Sequence, residues 1–431
     1  MNLKRQWVLI TSVWPEPQSS AAGLRDQNIV QGLRALEIEV VIASAARNEG
    51  GRARCAEWVA RDSGLSIRQL ELNCSSTQKW LQEIQPEGVI FDRFIVEEQF
   101  GARVREAVPE ALTVLDTQDL HFLRLSREQA HRQELRQIQT AGQGLDSLWD
   151  ADLVCRELSA IHRVDLVWLV SDFERELLVN EFEVDAERLV VSRFAYPEPP
   201  LGLEFGDSAF EGRSGFVLLG NFRHAPNLDA FRWMRAELWP EIRRRLPQAQ
   251  IQCFGAYPPK EVMQAHAPQK GFHVHGSAAD LSVVFSSPRV SLAPLRFGAG
   301  IKGKISDSWW YGVPVVSTSL GAEGMGDASE WGGLVTAGAA SFVEACCLLH
   351  EDASVWKQAH QRGRKILRER FSWDVFLNGM QESLDRARAR RATKSRDWVR
   401  QMLCHASADQ YRYFGRWLES KQSVQSSRVG R

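Results

Sequence analysis

The sequence predicts an α/β protein of two doubly wound domains facing a central cleft, followed by C-terminal helices. Three observations predict it. Short runs rich in Val, Ile and Leu alternate with helical patterns, as in parallel sheets covered on both faces. A Pro- and Gly-rich interval, Tyr196–Gly215, interrupts that rhythm, which then restarts. The 431 residues exceed one core at roughly 100–200 residues per domain. The expected division is a Rossmann-like, acceptor-side domain at 1–195, a linker at 196–215, a Rossmann-like donor domain at 216–372, and helices and tail at 373–431.

In the first half, Trp7–Val13 reads as a buried strand and Leu24–Leu36 as a helix with one apolar face. Val40–Ser44, Gly88–Phe94, Leu112–Asp116, Leu166–Ser171 and Arg188–Phe194 read as further strands. Lys4 and Arg5 before the first run imitate a signal peptide, but Pro15 and Pro17 cut it short. After the interval, Phe216–Asn221 is a strand and Asn227–Leu246 a helix. Ala249–Gly255, Phe272–Gly276, Arg289–Leu295 and Val313–Ser319 follow as strands. Ligands of such sheets bind beyond the carboxyl ends of the strands, so the cleft between the domains is the expected site.

Composition excludes other classes. A formal net charge of −1 gives no field to hold nucleic acid. Seven cysteines without framework spacing fit a reducing, cytoplasmic setting, and no C-x-x-C pair suggests zinc. No run approaches the roughly 20 apolar residues of a membrane span. The Arg386–Arg400 segment carries seven basic residues against Asp397. It reads either as a solvated helix or as a peripheral contact with the inner face of an anionic membrane.

The densest chemistry lies in Arg296–Gly324, RFGAGIKGKISDSWWYGVPVVSTSLGAEG. Gly298, Gly300 and Gly303 allow close backbone approach at a strand's carboxyl edge. A helix starting near Lys302–Lys304 offers free N–H groups and a dipole to an anion. Arg296, Lys302 and Lys304 add charge there, a diphosphate cradle that needs no metal. Asp307, one turn on, is placed to accept both hydroxyls of a ribose. There is no Walker G-K-[ST], and no G-x-G-x-x-G follows the first strand.

This segment resembles the donor-binding segment of the GT-B glycosyltransferases of the family 4, group 1 type. LLGNFRHAPNLDAFRWM and PQAQIQCFG resemble the first repeats of the same domain. The resemblance covers most of Phe216–Ala337 and, more loosely, VLDTQDLHFLRLSRE and LVWLVSDFERELL in the first half. It implies a retaining transferase using a nucleotide-sugar donor and a sugar, lipid-linked or protein acceptor, in glycan, polysaccharide or glycolipid synthesis. The donor is a substrate, and no cofactor or metal is expected. Of the family's two glutamates separated by seven residues, the second corresponds to Asp307 and the first to Ala299. Gly220, Asn221, Arg223 and His224 stand where the family has Arg and Lys.

His121, Arg296 and Lys302 are the expected catalytic residues. Gly220, Asn221, Gly298, Gly300, Lys302, Asp307 and Glu323 are expected to bind the donor. His121 would touch a sugar hydroxyl or the leaving phosphate, unless Asp119 merely caps the helix that His121 begins. Asp116 and Arg25 are weaker candidates. Asp150–Asp152 reads as helix-start acidity. His273 and His275 share a strand face without further metal ligands in view. A nucleotide-sugar epimerase, a dinucleotide oxidoreductase and a non-catalytic nucleotide-sugar-binding protein are the alternatives.

Overall fold

The computed structural model describes residues 5–17, 21–61, 65–137, 149–197, 210–278, 280–392 and 397–410. Most of the expected linker thus lies outside the described residues.

Two sheets carry the fold. The first contains β1 (Gln6–Thr11), β2 (Glu39–Ser44), β3 (Leu65–Gln69), β4 (Gly88–Asp92), β5 (Leu112–Asp116), β6 (Leu166–Leu169) and β7 (Leu189–Val191). The second contains β8 (Phe216–Leu219), β9 (Ile251–Phe254), β10 (Phe272–Gly276), β11 (Val290–Ala293), β12 (Val315–Thr318) and β13 (Gly333–Thr336). The orders are β3-β2-β1-β4-β5-β6-β7 and β10-β9-β8-β11-β12-β13. Every pairing is parallel. Each order reverses beside its first strand, at β1/β4 and at β8/β11. These are the switch points where doubly wound sheets hold ligands.

Burial explains the pattern. β4, β5 and β6 are buried along their whole length, because helices cover both faces. β3 and β13 escape sequence reading for the opposite reason. β3 is an edge strand whose residues alternate between half-buried and exposed, so LSIRQ shows no apolar run. The expected helix Asn227–Leu246 starts earlier, at Ala225, and widens into a π turn over Met234–Leu238 before resuming at Trp239. Pro240 lacks an N–H and crowds the carbonyl four residues back, and the wider turn relieves that clash.

The chain crosses between the sheets twice, and the crossings touch. Tyr196 pairs with Ser372, and its N–H donates to the Phe371 carbonyl at 2.8 Å. The helix Trp373–Ala392 then lies on the first sheet's side. It buries Phe376, Met380 and Leu384 in one core with Trp7, Leu9 and Leu33.

Part of the Arg386–Arg400 charge is consumed there. Arg390 and Arg391 donate to the carbonyls of Asp165 and Ala111, and Arg400 reaches the Asp165 carboxylate at 2.5 Å. Lys394 and Arg396 lie outside the described residues. The following helix, Trp398–Gln410, leaves Trp398 61% and Met402 63% exposed. No helix among the described residues is long and apolar enough to cross a membrane.

Candidate functional site

The two switch points face each other across a cleft of about 610 Å³. Its second-sheet wall begins at the end of β11. There the loop passes through Gly298 and Gly300, with φ of 142° and 66°, and enters the helix Gly303–Trp310. A side chain at Gly300 would meet Asp119 and the Gln118 carbonyl of the other half. This glycine therefore serves the approach of the two halves. Gly298 lines the cleft itself.

Lys302 is the residue before that helix, only 8% exposed, and lines the cleft. Its ammonium donates to the Gly300 carbonyl at 2.5 Å. Burial lowers its pKa to about 8, against the pull of Glu323. Lys304 donates to Asn227 Oδ1 at 2.6 Å, and burial together with Lys302 lowers it to about 7. Among the described residues no carboxylate forms an ion pair with either lysine. Two desolvated ammonium groups thus sit at one helix start, held only by neutral oxygens. A buried cation without a counter-ion is costly, and an anionic ligand would remove that cost.

Asp307 lies one turn further on and also lines the cleft. Its Oδ1 accepts from the Tyr196 hydroxyl at 2.7 Å, and burial pushes its carboxyl up to about 6. Gly220 and Asn221 line the cleft beyond β8. A side chain at Gly220 would collide with Asn227, the residue that holds Lys304.

Three expected residues are elsewhere. Arg296 is not in the cleft lining. It forms a fork with Asp229, at 2.9 and 2.6 Å, and stacks on Trp233. A bidentate carboxylate and an indole face satisfy the guanidinium better than solvent would. Glu323 is also outside the lining, because both its oxygens are taken by Arg127, at 2.7 and 2.8 Å. Arg127 comes from the first half and also donates to the Gly298 carbonyl at 2.9 Å, so the pair ties the halves together. Arg25 and Asp116 are a wholly buried pair, joined at 2.5 to 2.9 Å. With Asp26, Asp92 and Arg93 they form a charge-balanced core under the cleft. Burial, reinforced by Asp92, pushes Asp26 well up, so it holds its proton.

The first-sheet wall carries His121, the first residue of the helix His121–Gln137. Its Nε2 lies 3.4 Å from Asp119 Oδ1 and has no hydrogen-bond partner. Burial lowers its pKa to about 4, so the imidazole is neutral at physiological pH. Asp119 does not cap this helix; it pairs with Arg124 at 2.6 Å. Two buried glutamates from other helices do the capping. Glu157 accepts from the N–H groups of His121 and Phe122, and Glu174 from that of Leu120. Asp150 is the N-cap of its own helix, as its sequence position suggests.

Sequence reading missed Arg93, Gln118 and Tyr196, all in the lining. Arg93 and Gln118 immediately follow β4 and β5, and both have positive φ, 72° and 62°. Their place at strand ends was the available signal. Strained backbone at non-glycine residues beside a cleft is the usual mark of function.

Residues 213–352 match the family model described as glycosyl transferases group 1. Anabaena HepE, solved with UDP-glucose, is similar in structure at 12% identity and a TM-score of 0.64, over 88% of this chain and 99% of that one. The pneumococcal O-GlcNAc transferase GtfA, solved with UDP and GlcNAc, is similar at 10% identity and 0.63, over 89% and 99%. S. aureus TarM is similar at 6% identity and 0.64, over 89% and 99%. At these identities the likenesses show the fold, and it is the two-domain GT-B fold. No curated protein matches the chain. The family match describes neither an epimerase nor an oxidoreductase.

Proposed function

We propose that this chain, a group 1 glycosyltransferase with the GT-B fold, takes its sugar from a nucleoside-diphosphate donor bound in the cleft. The observation that carries this reading is the pair of buried lysines, Lys302 and Lys304, which share a helix start and lack a carboxylate partner. A diphosphate brings the missing negative charge to both, and the free amides of the Gly303–Trp310 helix add to it. Asp307 faces the same cavity and takes the ribose.

Transfer proceeds with retention. The bond from the anomeric carbon to the phosphate oxygen breaks, and charge developing on that oxygen is met by Lys302, Lys304 and the helix amides. The acceptor hydroxyl attacks on the same face, and its proton passes to the departing phosphate oxygen. His121, on the opposite wall, donates a hydrogen bond to the sugar. No metal takes part.

Asp307→Ala tests the ribose assignment. Loss of a charged hydrogen-bond partner costs roughly 10- to 100-fold in affinity. Calorimetry should show that loss for every nucleotide sugar alike. A loss that varies with the sugar would move Asp307 from ribose to sugar.

The acceptor is presented at an anionic membrane. Supporting this are the exposed Trp398, Val399 and Met402 on the last described helix, next to the basic segment. The protein should sediment with vesicles containing acidic lipid at low salt and be released at high salt. Sedimentation indifferent to lipid charge and salt would refute this attachment.

A further inference from the structure

Lys304 and Asp307 stand three residues apart on one helix, a spacing at which opposite charges pair. They do not pair here. Lys304 is held outward by Asn227 Oδ1 at 2.6 Å, and Asp307 by the Tyr196 hydroxyl at 2.7 Å. Had they joined, the cation meant for phosphate and the carboxylate meant for ribose would neutralise each other. We propose that Tyr196 is a positioning residue for donor binding: from the crossover between the domains it holds Asp307 away from Lys304, leaving both free for the ligand. The proposal rests on the donor-site reading above.

The geometry suits the role. Tyr196 is anchored by its backbone, since its N–H donates to Phe371 and it bridges to Ser372 on the returning crossover. Its ring packs against the cluster containing Ile305, Trp309 and Phe371. A rigid ring on a pinned backbone fixes its hydroxyl in place. The phenol has one proton, and a carboxylate acceptor makes the stronger, charge-assisted bond. Ser306 is 3.0 Å from the same hydroxyl, but its own Oγ is supplied with the Gly303 carbonyl at 3.0 Å. Asp307 therefore keeps Oδ1 committed to Tyr196, and Oδ2 has no partner among the described residues. It can take one ribose hydroxyl in a simple geometry, not the symmetric pair expected from sequence.

Tyr196→Phe keeps the ring and removes only the hydroxyl, so the fold is retained, checked by an unchanged melting curve. Binding of UDP, GDP, ADP and inorganic pyrophosphate is measured by calorimetry on wild type, Tyr196→Phe, Asp307→Ala and the double variant. If Asp307 collapses onto Lys304, Tyr196→Phe loses about tenfold in affinity for the best nucleoside diphosphate and also weakens pyrophosphate, which has no ribose. In the Asp307→Ala background the same change should cost less than twofold, because nothing remains to hold. Donor KM should rise with kcat nearly unchanged.

Unchanged affinity in Tyr196→Phe overturns the proposal. So does a loss that persists in full without Asp307, which would mean that Tyr196 acts directly on the ligand. A wild-type protein that binds none of the nucleoside diphosphates instead removes the donor-site reading, and this proposal falls with it.

Discussion

Lys302→Ala is expected to weaken nucleoside-diphosphate binding by about 10- to 150-fold, the equivalent of a charge-assisted contact of roughly 1.5–3 kcal/mol. The empty protein should lose little stability. The Lys302 ammonium is buried and bonded only to the Gly300 carbonyl, with no carboxylate to leave unpaired when it goes. Removing an uncompensated buried charge relieves desolvation, which offsets the lost hydrogen bond. Calorimetry and a thermal melt on the same variant check both halves. Undiminished donor affinity would take Lys302 out of the site.

The same lysines set a pH dependence. In the empty cleft burial lowers Lys302 to about 8 and Lys304 to about 7. An arriving diphosphate favours their charged forms and raises both values. Binding near pH 7.5 therefore takes up protons, and affinity falls as pH rises past 8. Titrations in buffers of different ionisation enthalpy measure that uptake. EDTA should leave affinity and turnover intact. Complete loss restored by magnesium or manganese would assign charge neutralisation to a metal.

Local features of this site were legible in the sequence. The glycine-rich loop, the helix start at Gly303 and the two lysines lie within a few residues of one another. Their chemistry follows from backbone geometry and the helix dipole. The strands β5 and β10 have the very bounds their apolar runs suggest. What sequence could not show is where a charged side chain turns when its partner is distant. Arg296 and Asp229 are 67 residues apart, Glu323 and Arg127 196, and Arg25 and Asp116 91. Each of these charges read as available for a ligand, and each is consumed by a partner that only the fold delivers. Tyr196 was hidden differently. It opens a Pro- and Gly-rich interval that reads as linker, yet its hydroxyl reaches Asp307 across 111 positions. Carboxylates were obscured in the same way: Glu157 and Glu174 are unremarkable in sequence, and only the fold brings them to the start of the His121 helix.

His121→Ala should lower kcat by roughly 10²- to 10³-fold, the effect of removing one hydrogen-bond donor aimed at a transition state. Donor KM should change little, because binding energy resides in Lys302, Lys304 and Asp307. His121 has the attributes the role needs. Its backbone is locked by Glu157, and its ring stands edge-on to Phe94 at 5.3 Å. Its Nε2 is buried, has no partner, and belongs to a residue lining the cleft. The sign of its pKa shift matters for the chemistry. Burial lowers the value to about 4, so the ring stays neutral as pH falls from 8 to 5. His121 should therefore impose no acid limb on kcat near its ordinary value of about 6.5. A limb there that vanishes in His121→Gln would show a charged imidazole in turnover and overturn the hydrogen-bonding role. Full activity in His121→Ala would show that the histidine only packs against Phe94 at the head of its helix.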